Sequence, residues 1–336
     1  MPLVIPIFIP HEGCPHCCVF CNQRSISGFL ENPVTPADVQ TMIRTWLDRR
    51  KKRNGRVQVA FYGGSFTGLG RARQDELLGA VAPFVKQGRV AAIRLSTRPD
   101  YMDRDIAAFL RNHHVSVVEL GVQSLDDTVL KAARRGHDRQ DVRAAVAVLR
   151  ESGMEIGIQL MLGLPADTRR TLMDTVKQVI ELRPDFVRIY PVLVVENSGL
   201  AALYRQGQYR PLSLEMAVLL AAWMKKRFDE TGIRVVRMGL QAGLDLEQAL
   251  VAGPWHPAFG ELVNSRLMLQ QTRKLLASVG ADTRVCLTIH EKDQSTFRGM
   301  HSKNIQRLQE LGLWPRITLA TGTDQPRGTV HLHGIS

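Results

Sequence analysis

Residues 11–28 read HEGCPHCCVFCNQRSISG and contain four of the five cysteines in this chain of 336 residues. The stretch follows residues 3–9, an apolar run punctuated by proline that is typical of a buried strand. Several thiols crowded into one loop directly after a strand indicate metal-binding chemistry, since cysteines that only fill a hydrophobic core are not clustered in this way. We call residues 11–28 the cysteine loop and expect the functional site to be built around it.

Two three-cysteine spacings coexist in this loop, Cys14-x3-Cys18-x2-Cys21 and Cys14-x2-Cys17-x3-Cys21, and composition alone does not choose between them. Phe20 favours the first spacing, because the chain then resembles the radical S-adenosylmethionine (SAM) superfamily, whose motif carries an aromatic residue just before its last cysteine. The resemblance implies that Cys14, Cys18 and Cys21 hold three irons of a 4Fe-4S cluster. It also implies that the fourth iron stays open and is chelated by SAM, and that Phe20 lies against the adenine of SAM.

In the superfamily that the chain resembles, an electron from the cluster cleaves SAM to a 5'-deoxyadenosyl radical. A zinc site formed by the same thiolates with His11 or His16 is the alternative. Structural zinc usually has two separated ligand pairs, however, and the fifth cysteine is the distant Cys286. Disulfides are not expected, because the cysteine count is odd and no secretory signal precedes them.

The composition is that of a soluble globular protein, with 44% hydrophobic residues. No apolar run is long enough for a transmembrane helix and no signal-peptide pattern is present, so we expect no membrane contact and predict a cytoplasmic location. The net charge of +12 favours binding to a polyanion such as nucleic acid. The run RRKKR at residues 49–53 either complements a helix dipole or contacts phosphates.

Strand-like and helix-like patterns alternate along residues 1–240. Predicted strands cover residues 57–62, 92–96, 115–121, 155–162, 186–191 and 234–238. Predicted helices cover residues 33–53, 74–85, 103–111, 138–151, 166–182 and 214–230, the first with Thr35 as N-cap. This alternation predicts an α/β fold, a partial (β/α) barrel of the radical SAM type with its ligands at the carboxyl ends of the strands.

Residues 241–336 show a different pattern, with helices predicted at 244–251, 258–280 and 301–311 and short strands at 284–289 and 317–319. We expect a small mixed α/β C-terminal extension that closes the barrel or forms a subunit contact. From Gly322 onward the sequence is rich in Gly, Thr and Pro, which predicts a loosely held terminus.

Four further motifs lie at or near the predicted strand ends: STRPDY at residues 96–101, ELGVQS at 119–124, RRGH at 134–137 and RIYPVLV at 188–194. With the cysteine loop, they make residues 5–240 resemble the radical-SAM domain of the catalytic subunit of Elongator, which modifies the wobble uridine of tRNA. The chain more distantly resembles oxygen-independent coproporphyrinogen oxidase. Five motifs in the same order are far more specific than any one of them.

The resemblance implies a set of contacts to SAM. It implies Gly63 and Gly64 at the methionine amine, Arg135 at the carboxylate, and Gln123 and Gln159 at the ribose. A guanidinium suits a carboxylate because its fork can donate twice. The structural alternatives are a tight turn for the glycines, buried structural amides for the glutamines and a solvated helix end for the arginine.

Ser65 and His137, which lie close to these candidate residues in the sequence, are given other roles. Ser65 stands where the family's Gly-Gly-Glu motif has Glu, so the resemblance supports only a backbone role there. His137, the last residue of RRGH, is predicted to be a turn or cap residue rather than a catalyst.

Three hypotheses for function follow. The first is a radical SAM enzyme that modifies tRNA or another RNA, with a reductant such as flavodoxin or ferredoxin as electron donor. The second is a radical SAM enzyme acting on a small metabolite, and the third is a non-catalytic iron-sulfur RNA-binding protein, favoured only by Ser65. Elongator's catalytic subunit carries an acetyltransferase domain after its radical-SAM domain. This sequence ends too early for one, so we do not expect transfer of an acetyl-CoA-derived group by this chain alone.

Overall fold

The structure is a computed structural model and describes residues 3–9, 12–14, 18–22, 33–49, 55–241, 243–281 and 283–335. The chain divides into two compact units. The first comprises Met1–Leu212 and Phe228–Pro254, and the second comprises Ser213–Arg227 and Trp255–Ser336. The division into residues 1–240 and 241–336 stays a prediction, as does the role of the C-terminal extension.

The first unit is built on a parallel sheet that curls into a half-barrel. Its strands are β1 (Leu3–Phe8), β2 (Val57–Tyr62), β3 (Ala92–Thr97), β4 (Val115–Gln123), β5 (Glu155–Leu162), β6 (Phe186–Pro191), β7 (Val194–Val195), β8 (Arg234–Met238) and β9 (Leu250–Ala252). Strands β1 to β6 and β8 lie side by side in that order, all parallel, whereas β7 and β9 form a separate antiparallel pair. The predicted α/β partial barrel is confirmed.

Helices connect these strands, as parallel pairing requires. They are α1 (Pro36–Asp48), α2 (Arg71–Lys86), α3 (Arg104–Asn112), α4 (Asp127–Ala132), α5 (Arg139–Glu151), α6 (Arg169–Leu182), α7 (Gly199–Arg205), α8 (Leu214–Glu230) and α9 (Leu244–Ala249). Helices α4 and α7, of six and seven residues, were not predicted, because they span about two turns or fewer and show no clear period. No helix within the described residues is both long enough and apolar enough to span a membrane.

Thr35 is the N-cap of α1, as predicted. Its hydroxyl accepts the N–H of Asp38 at 3.2 Å, and the Asp38 carboxylate accepts the N–H of Thr35 at 2.9 Å, which is a capping box. Such a cap stabilises a helix by about 1 kcal/mol. It also sets the helix start at Pro36, three residues later than predicted, and the helix ends at Asp48.

Strands β4 to β6 show why the half-barrel has one apolar and one polar face. In β5 the buried side chains of Ile156, Ile158 and Leu160 alternate with Gly157 and Gln159. Successive side chains of a strand point to opposite faces, so the apolar set lies on one face of the sheet. The other face carries the polar side chains, and these form the candidate site.

The second unit has its own apolar core around Met268, Leu287 and Phe297. Residues 214–227 of α8 belong to this unit. Its other elements are α10 (Phe259–Ala277), β10 (Val285–His290), α11 (Gln294–Arg298), α12 (Lys303–Glu310), β11 (Ile317–Gly322) and β12 (Val330–Ile335). The loosely held terminus predicted from Gly322 onward is wrong for β12, which pairs antiparallel with β10 and buries Val330. The turn-forming Gly and Pro residues before β12 hid the alternating pattern VHLH that builds this strand.

Candidate functional site

The three cysteines implied as cluster ligands lie at different depths. Cys14 is exposed, Cys21 is half-buried and Cys18 is buried. Cys17 and the two histidines of the cysteine loop lie outside the described residues. Within the described ranges, no group of three or more His, Cys, Asp or Glu side chains is arranged to hold a metal ion. The ligand set therefore stays a prediction.

Arginine side chains influence the thiols of this loop. The Nη1 of Arg135 donates to the Sγ of Cys18 at 3.1 Å. Although Cys14 is exposed as a residue, partial desolvation of its thiol and the adjacent Cys18 raise its pKa. The Ser65 backbone and the guanidinium groups of Arg135 and Arg98 act against this rise. The net effect still favours the protonated thiol of Cys14, whereas iron binds the thiolate.

Arg135 bridges the cysteine loop and the end of β4. Besides its bond to Cys18, it donates through Nη2 to the carbonyl oxygen of Gly121 at 2.5 Å. Its side chain is buried, and its Nε has no hydrogen-bond partner among the described residues. The interpretation of Arg135 as a solvated helix end is therefore wrong. A buried cation that keeps an unused donor is suited to an anionic ligand.

Gln123, the last residue of β4, has an unusual backbone conformation. Its φ of 69° lies in the left-handed region, and the register between β4 and β5 shifts between Gly121 and Gln123. The Nε2 of Gln159 donates to the Oε1 of Gln123 at 3.3 Å. The structure thus brings the two glutamines together at neighbouring strand ends, and strained backbone of this kind is concentrated at ligand sites.

His137 also contacts the end of β4. Its Nε2–H donates to the carbonyl oxygen of Val122 at 3.3 Å, and the ring is buried. Burial, and then the charges of Arg135 and Arg98, lower the pKa of His137 to about 3, so the ring is neutral at physiological pH. Arg135 and His137 therefore fix two consecutive carbonyls directly before Gln123.

Gly63 and Gly64 follow β2 and lie against the cysteine loop. Gly63 has a φ of 94°, which favours glycine. A Cβ on Gly64 would lie 2.3 Å from the carbonyl oxygen of Glu12, and a Cβ on Gly13 would lie 2.2 Å from that of Ser65. Only glycine permits these approaches, so the two segments form a seam of backbone against backbone.

Ser65, which departs from the family's Glu, has a structural role in this turn. It is 1% exposed, and its Oγ lies 3.1 Å from the Oγ1 of Thr97. The Oγ1 of Thr97 in turn lies 2.5 Å from that of Thr67. The hydroxyl cluster ties the glycine turn to the end of β3 and leaves the Ser65 side chain committed within the protein.

Phe20 is half-buried and packs against an apolar cluster that includes Val19, Leu164 and Val192. The Leu200 N–H donates to the carbonyl oxygen of Val19 at 2.6 Å, so the main chain beside Phe20 is held by α7. The contact of Phe20 with adenine stays a prediction.

One group of candidate residues was missed by sequence reasoning. Tyr62, Arg94, Glu119 and Arg188 come from four strands and meet on the polar face of the half-barrel. The available signal was a charged residue inside each of three otherwise apolar strands: AIRLST, VSVVELGVQ and FVRIYP. Charges are rarely buried without a partner or a ligand, so the three positions together indicate a buried polar cluster or a ligand site.

Two family models match consecutive parts of this chain. The family model described as the radical SAM superfamily matches residues 8–179, and the radical SAM C-terminal domain matches residues 184–268. The tRNA uridine(34) acetyltransferase of Methanocaldococcus jannaschii is 26% identical over 261 residues, covering 66% of this chain and 48% of that protein. The first curated relative, an uncharacterized protein of the same organism, is 26% identical over 209 residues, covering 60% of this chain and 64% of that protein. The chain therefore spans less than two thirds of the length of these relatives.

Two solved structures share the fold. Elp3 of Methanocaldococcus infernus, solved with an N-terminal deletion, gives a TM-score of 0.61 at 21% identity, covering 83% of this chain and 63% of that one. Coproporphyrinogen III oxidase (HemN) of Escherichia coli gives a TM-score of 0.51 at 21% identity, covering 69% of this chain and 53% of that one. At these identities the likeness concerns the fold alone.

Proposed function

Since the chain belongs to the radical SAM superfamily, whose model matches more than half of it, we propose that this enzyme binds a 4Fe-4S cluster, cleaves SAM and modifies tRNA or another RNA. Members of the superfamily use the cluster and SAM as cofactors. The observation that carries the proposal is the meeting of Cys18, Arg135 and Gln123 at one strand end.

The residues fit the two cofactors by their chemistry. Cys14, Cys18 and Cys21 are the proposed ligands, and Arg135 lies against the buried member of the three. When bound, a cluster held by three thiolates keeps one iron open for SAM and supplies the electron that cleaves it. A reductant such as flavodoxin or ferredoxin is the proposed source of that electron.

The chain's own residues bind and orient SAM in this proposal. The unused Nε of Arg135 suits the carboxylate of SAM, and the backbone at Gly63 and Gly64 suits its amine. The amides of Gln123 and Gln159 suit the ribose hydroxyls, since an amide can both donate and accept. In this proposal Ser65 contributes through its backbone alone, since its side chain is hydrogen-bonded within the protein.

We expect Gln123→Ala to weaken SAM binding about three- to tenfold, the loss typical of one or two neutral hydrogen bonds. The absorbance of the reconstituted cluster should stay unchanged, because Gln123 makes no contact with the cysteine loop in the described residues. The measurement is a SAM titration of the anaerobically reconstituted protein. Gln140→Ala, an exposed glutamine on α5, is the matched control and should bind SAM normally. Equal SAM affinity in both variants would remove Gln123 from the proposed site.

The proposed RNA substrate rests on two supports. One is the printed activity of the M. jannaschii relative, a tRNA uridine(34) acetyltransferase. The other is the net charge of +12. Phosphate contacts carry most of the affinity of such interactions, whereas selectivity would require an unpaired base to reach the site.

We expect the log of tRNA affinity to fall linearly with the log of salt concentration, by about 0.7 to 0.9 units per phosphate contacted. Replacing the cations of residues 49–53 by glutamine should reduce that slope by a few units and lower affinity alike for different RNA sequences. Arg104→Gln and Arg139→Gln, each at an exposed cation already paired with a carboxylate, are the controls and should leave the slope nearly unchanged.

The tRNA proposal is contradicted if a tRNA mixture binds no more tightly than a random polyanion of equal length at physiological salt and yields no altered nucleoside after turnover. SAM cleavage without any effect on RNA would favour the small-metabolite alternative. Cluster assembly without SAM binding would favour the non-catalytic one.

A further inference from the structure

Glu119 lies at the centre of a buried polar group on the polar face of the half-barrel. Its carboxylate pairs with the Nη2 of Arg94 at 2.6 Å and with the Nε of Arg188. It also accepts the hydroxyl of Tyr62 at 2.9 Å and the Nη2 of Arg188 at 3.2 Å. The side chains of Glu119, Arg94 and Arg188 are 4%, 9% and 15% exposed, so the group is largely removed from water.

The group carries more positive than negative charge. Two guanidinium groups face one carboxylate, and no other carboxylate in the described part of the chain pairs with either arginine. Burial, and next the charge of Glu119, raise the pKa of Tyr62, so its phenol stays protonated and does not balance the charge. A buried charge without a counter-charge is costly, and an anionic ligand is one way to remove that cost.

The two arginines are not equivalent. Arg94 is occupied on several sides, since its Nη1 donates to the Oε1 of Gln58 at 3.1 Å and its guanidinium lies over the ring of Phe186. Arg188 also donates through Nη2 to the hydroxyl of Tyr62 at 3.1 Å, but it is more exposed than Arg94. Among the described residues, its Nη1 contacts only the hydroxyl of Tyr190, at 3.5 Å. The charge available to a ligand is therefore that of Arg188.

Arg188 is next to the proposed SAM site. In the strand register Gln159 stands opposite Arg188, and Gly121, which Arg135 contacts, stands opposite Gln159. Arg237 of β8 stands opposite Arg188 on its other side and adds a further cation. A molecule held at Arg188 would lie beside the residues proposed to hold SAM, which is where a substrate must be.

We propose that Arg188 and Tyr190 form an oxyanion subsite on the polar face of the half-barrel, which positions the substrate through a phosphate or carboxylate group. The subsite rests on the proposed radical SAM function, because it needs SAM at the neighbouring strand ends. Arg188 presents Nη1 to one oxygen, and the Tyr190 hydroxyl donates to another. Glu119 and Arg94 act behind them as positioning residues that fix the plane of the guanidinium.

A purely structural role makes a different prediction. An Arg–Glu–Arg group can serve only to join strands, and in that case removing Arg188 changes stability without changing any affinity. The subsite predicts that oxyanions bind and that their affinity depends on Arg188. Equilibrium binding therefore separates the two roles where thermal stability does not.

The test is calorimetric titration of the reconstituted protein with uridine 5'-monophosphate, uridine, inorganic phosphate and acetate at fixed ionic strength. Uridine is the control without a charged group for uridine 5'-monophosphate. Inorganic phosphate and acetate show whether the subsite prefers a phosphate or a carboxylate. We expect at least one oxyanion probe to bind, and Arg188→Gln to weaken it about 10- to 100-fold, as expected for a charged hydrogen bond. Tyr190→Phe, which leaves the ion pairs intact, should weaken it about threefold or more.

Arg234→Gln is the matched control, because Arg234 begins β8 and pairs with Glu155 in an exposed ion pair. It should leave the affinity of every probe unchanged. The subsite is overturned if no oxyanion binds the wild type, or if Arg188→Gln and Tyr190→Phe both bind as the wild type does. It is also overturned if saturating SAM displaces the probe completely, because Arg188 would then bind SAM itself and not a substrate.

Failure of the subsite is distinguishable from failure of the proposed function. Wild-type protein that cleaves SAM but binds no oxyanion would overturn only the subsite. Protein that assembles no cluster or never binds SAM would overturn the function, whatever the calorimetry of the four probes shows.

Discussion

Cys18→Ser is expected to abolish the broad visible absorbance of the reconstituted 4Fe-4S cluster, and SAM cleavage with it. Cys18 is the buried member of the proposed ligand set, and its sulfur accepts a hydrogen bond from Arg135. A serine hydroxyl is a much poorer ligand for iron than a cysteine sulfur, so in the proposed ligand set the cluster loses one of its three protein ligands. The measurement is the visible spectrum together with iron and sulfide content per chain.

Cys17→Ser is the matched control for this substitution, because it changes the adjacent cysteine in the same loop and should retain the spectrum. Cys286→Ser, in β10 of the second unit, should also retain it. The opposite pattern, with the cluster lost in Cys17→Ser and kept in Cys18→Ser, would move the site to the second cysteine spacing. Bound zinc without iron would contradict the cluster altogether.

Gly64→Ala is expected to lower the free energy of unfolding by about 1–3 kcal/mol, the usual cost of forcing extra atoms into a packed interior. The added Cβ would lie 2.3 Å from the carbonyl oxygen of Glu12 and 2.7 Å from that of Ile9, and backbone atoms cannot move aside as a side chain can. The cysteine loop must then separate from the glycine turn, so SAM affinity should fall as well. Denaturant unfolding and SAM titration measure the two effects.

Gly79→Ala is the control, because Gly79 is an exposed residue within α2 where an added Cβ meets nothing within 4 Å. Alanine exceeds glycine in helix propensity by about 1 kcal/mol, so this variant should be more stable than the wild type and bind SAM normally. If Gly64→Ala unfolds at the wild-type denaturant concentration and binds SAM equally well, the close seam between the cysteine loop and the turn is not present in solution.

The confirmed parts of the fold are those with strong local periodicity. The strands at Glu155–Leu162 and Phe186–Pro191 have the predicted bounds, as does the helix Leu214–Glu230. Each is a run long enough for its period to dominate over neighbouring residues. Strand β12 was missed because its pairing with β10 depends on a partner that lies about forty residues earlier in the chain.

In the candidate site too, local motifs were recognisable from the sequence, whereas contacts between distant residues were not. The cysteine loop, the glycine turn and the strand-end glutamines were all recognisable as short motifs, since each carries its chemistry in adjacent residues. The role of Ser65 was not recognisable, because its hydroxyl partner Thr97 lies in another strand. Whether Arg135 faces solvent or a thiol likewise depended on its burial, which no local pattern reports.

The sequence by itself determined the alternation of strands and helices, and with it the α/β partial barrel, because side-chain period is a local property. Only the tertiary structure decided which side chains meet. The shift in register at Gly121 and Gln123 brings Gln159 to Gln123, and the curl of the sheet brings Arg94 and Arg188 onto one carboxylate. Such meetings depend on strand register and sheet curvature, which arise from the packing of the whole half-barrel and from no single segment of it.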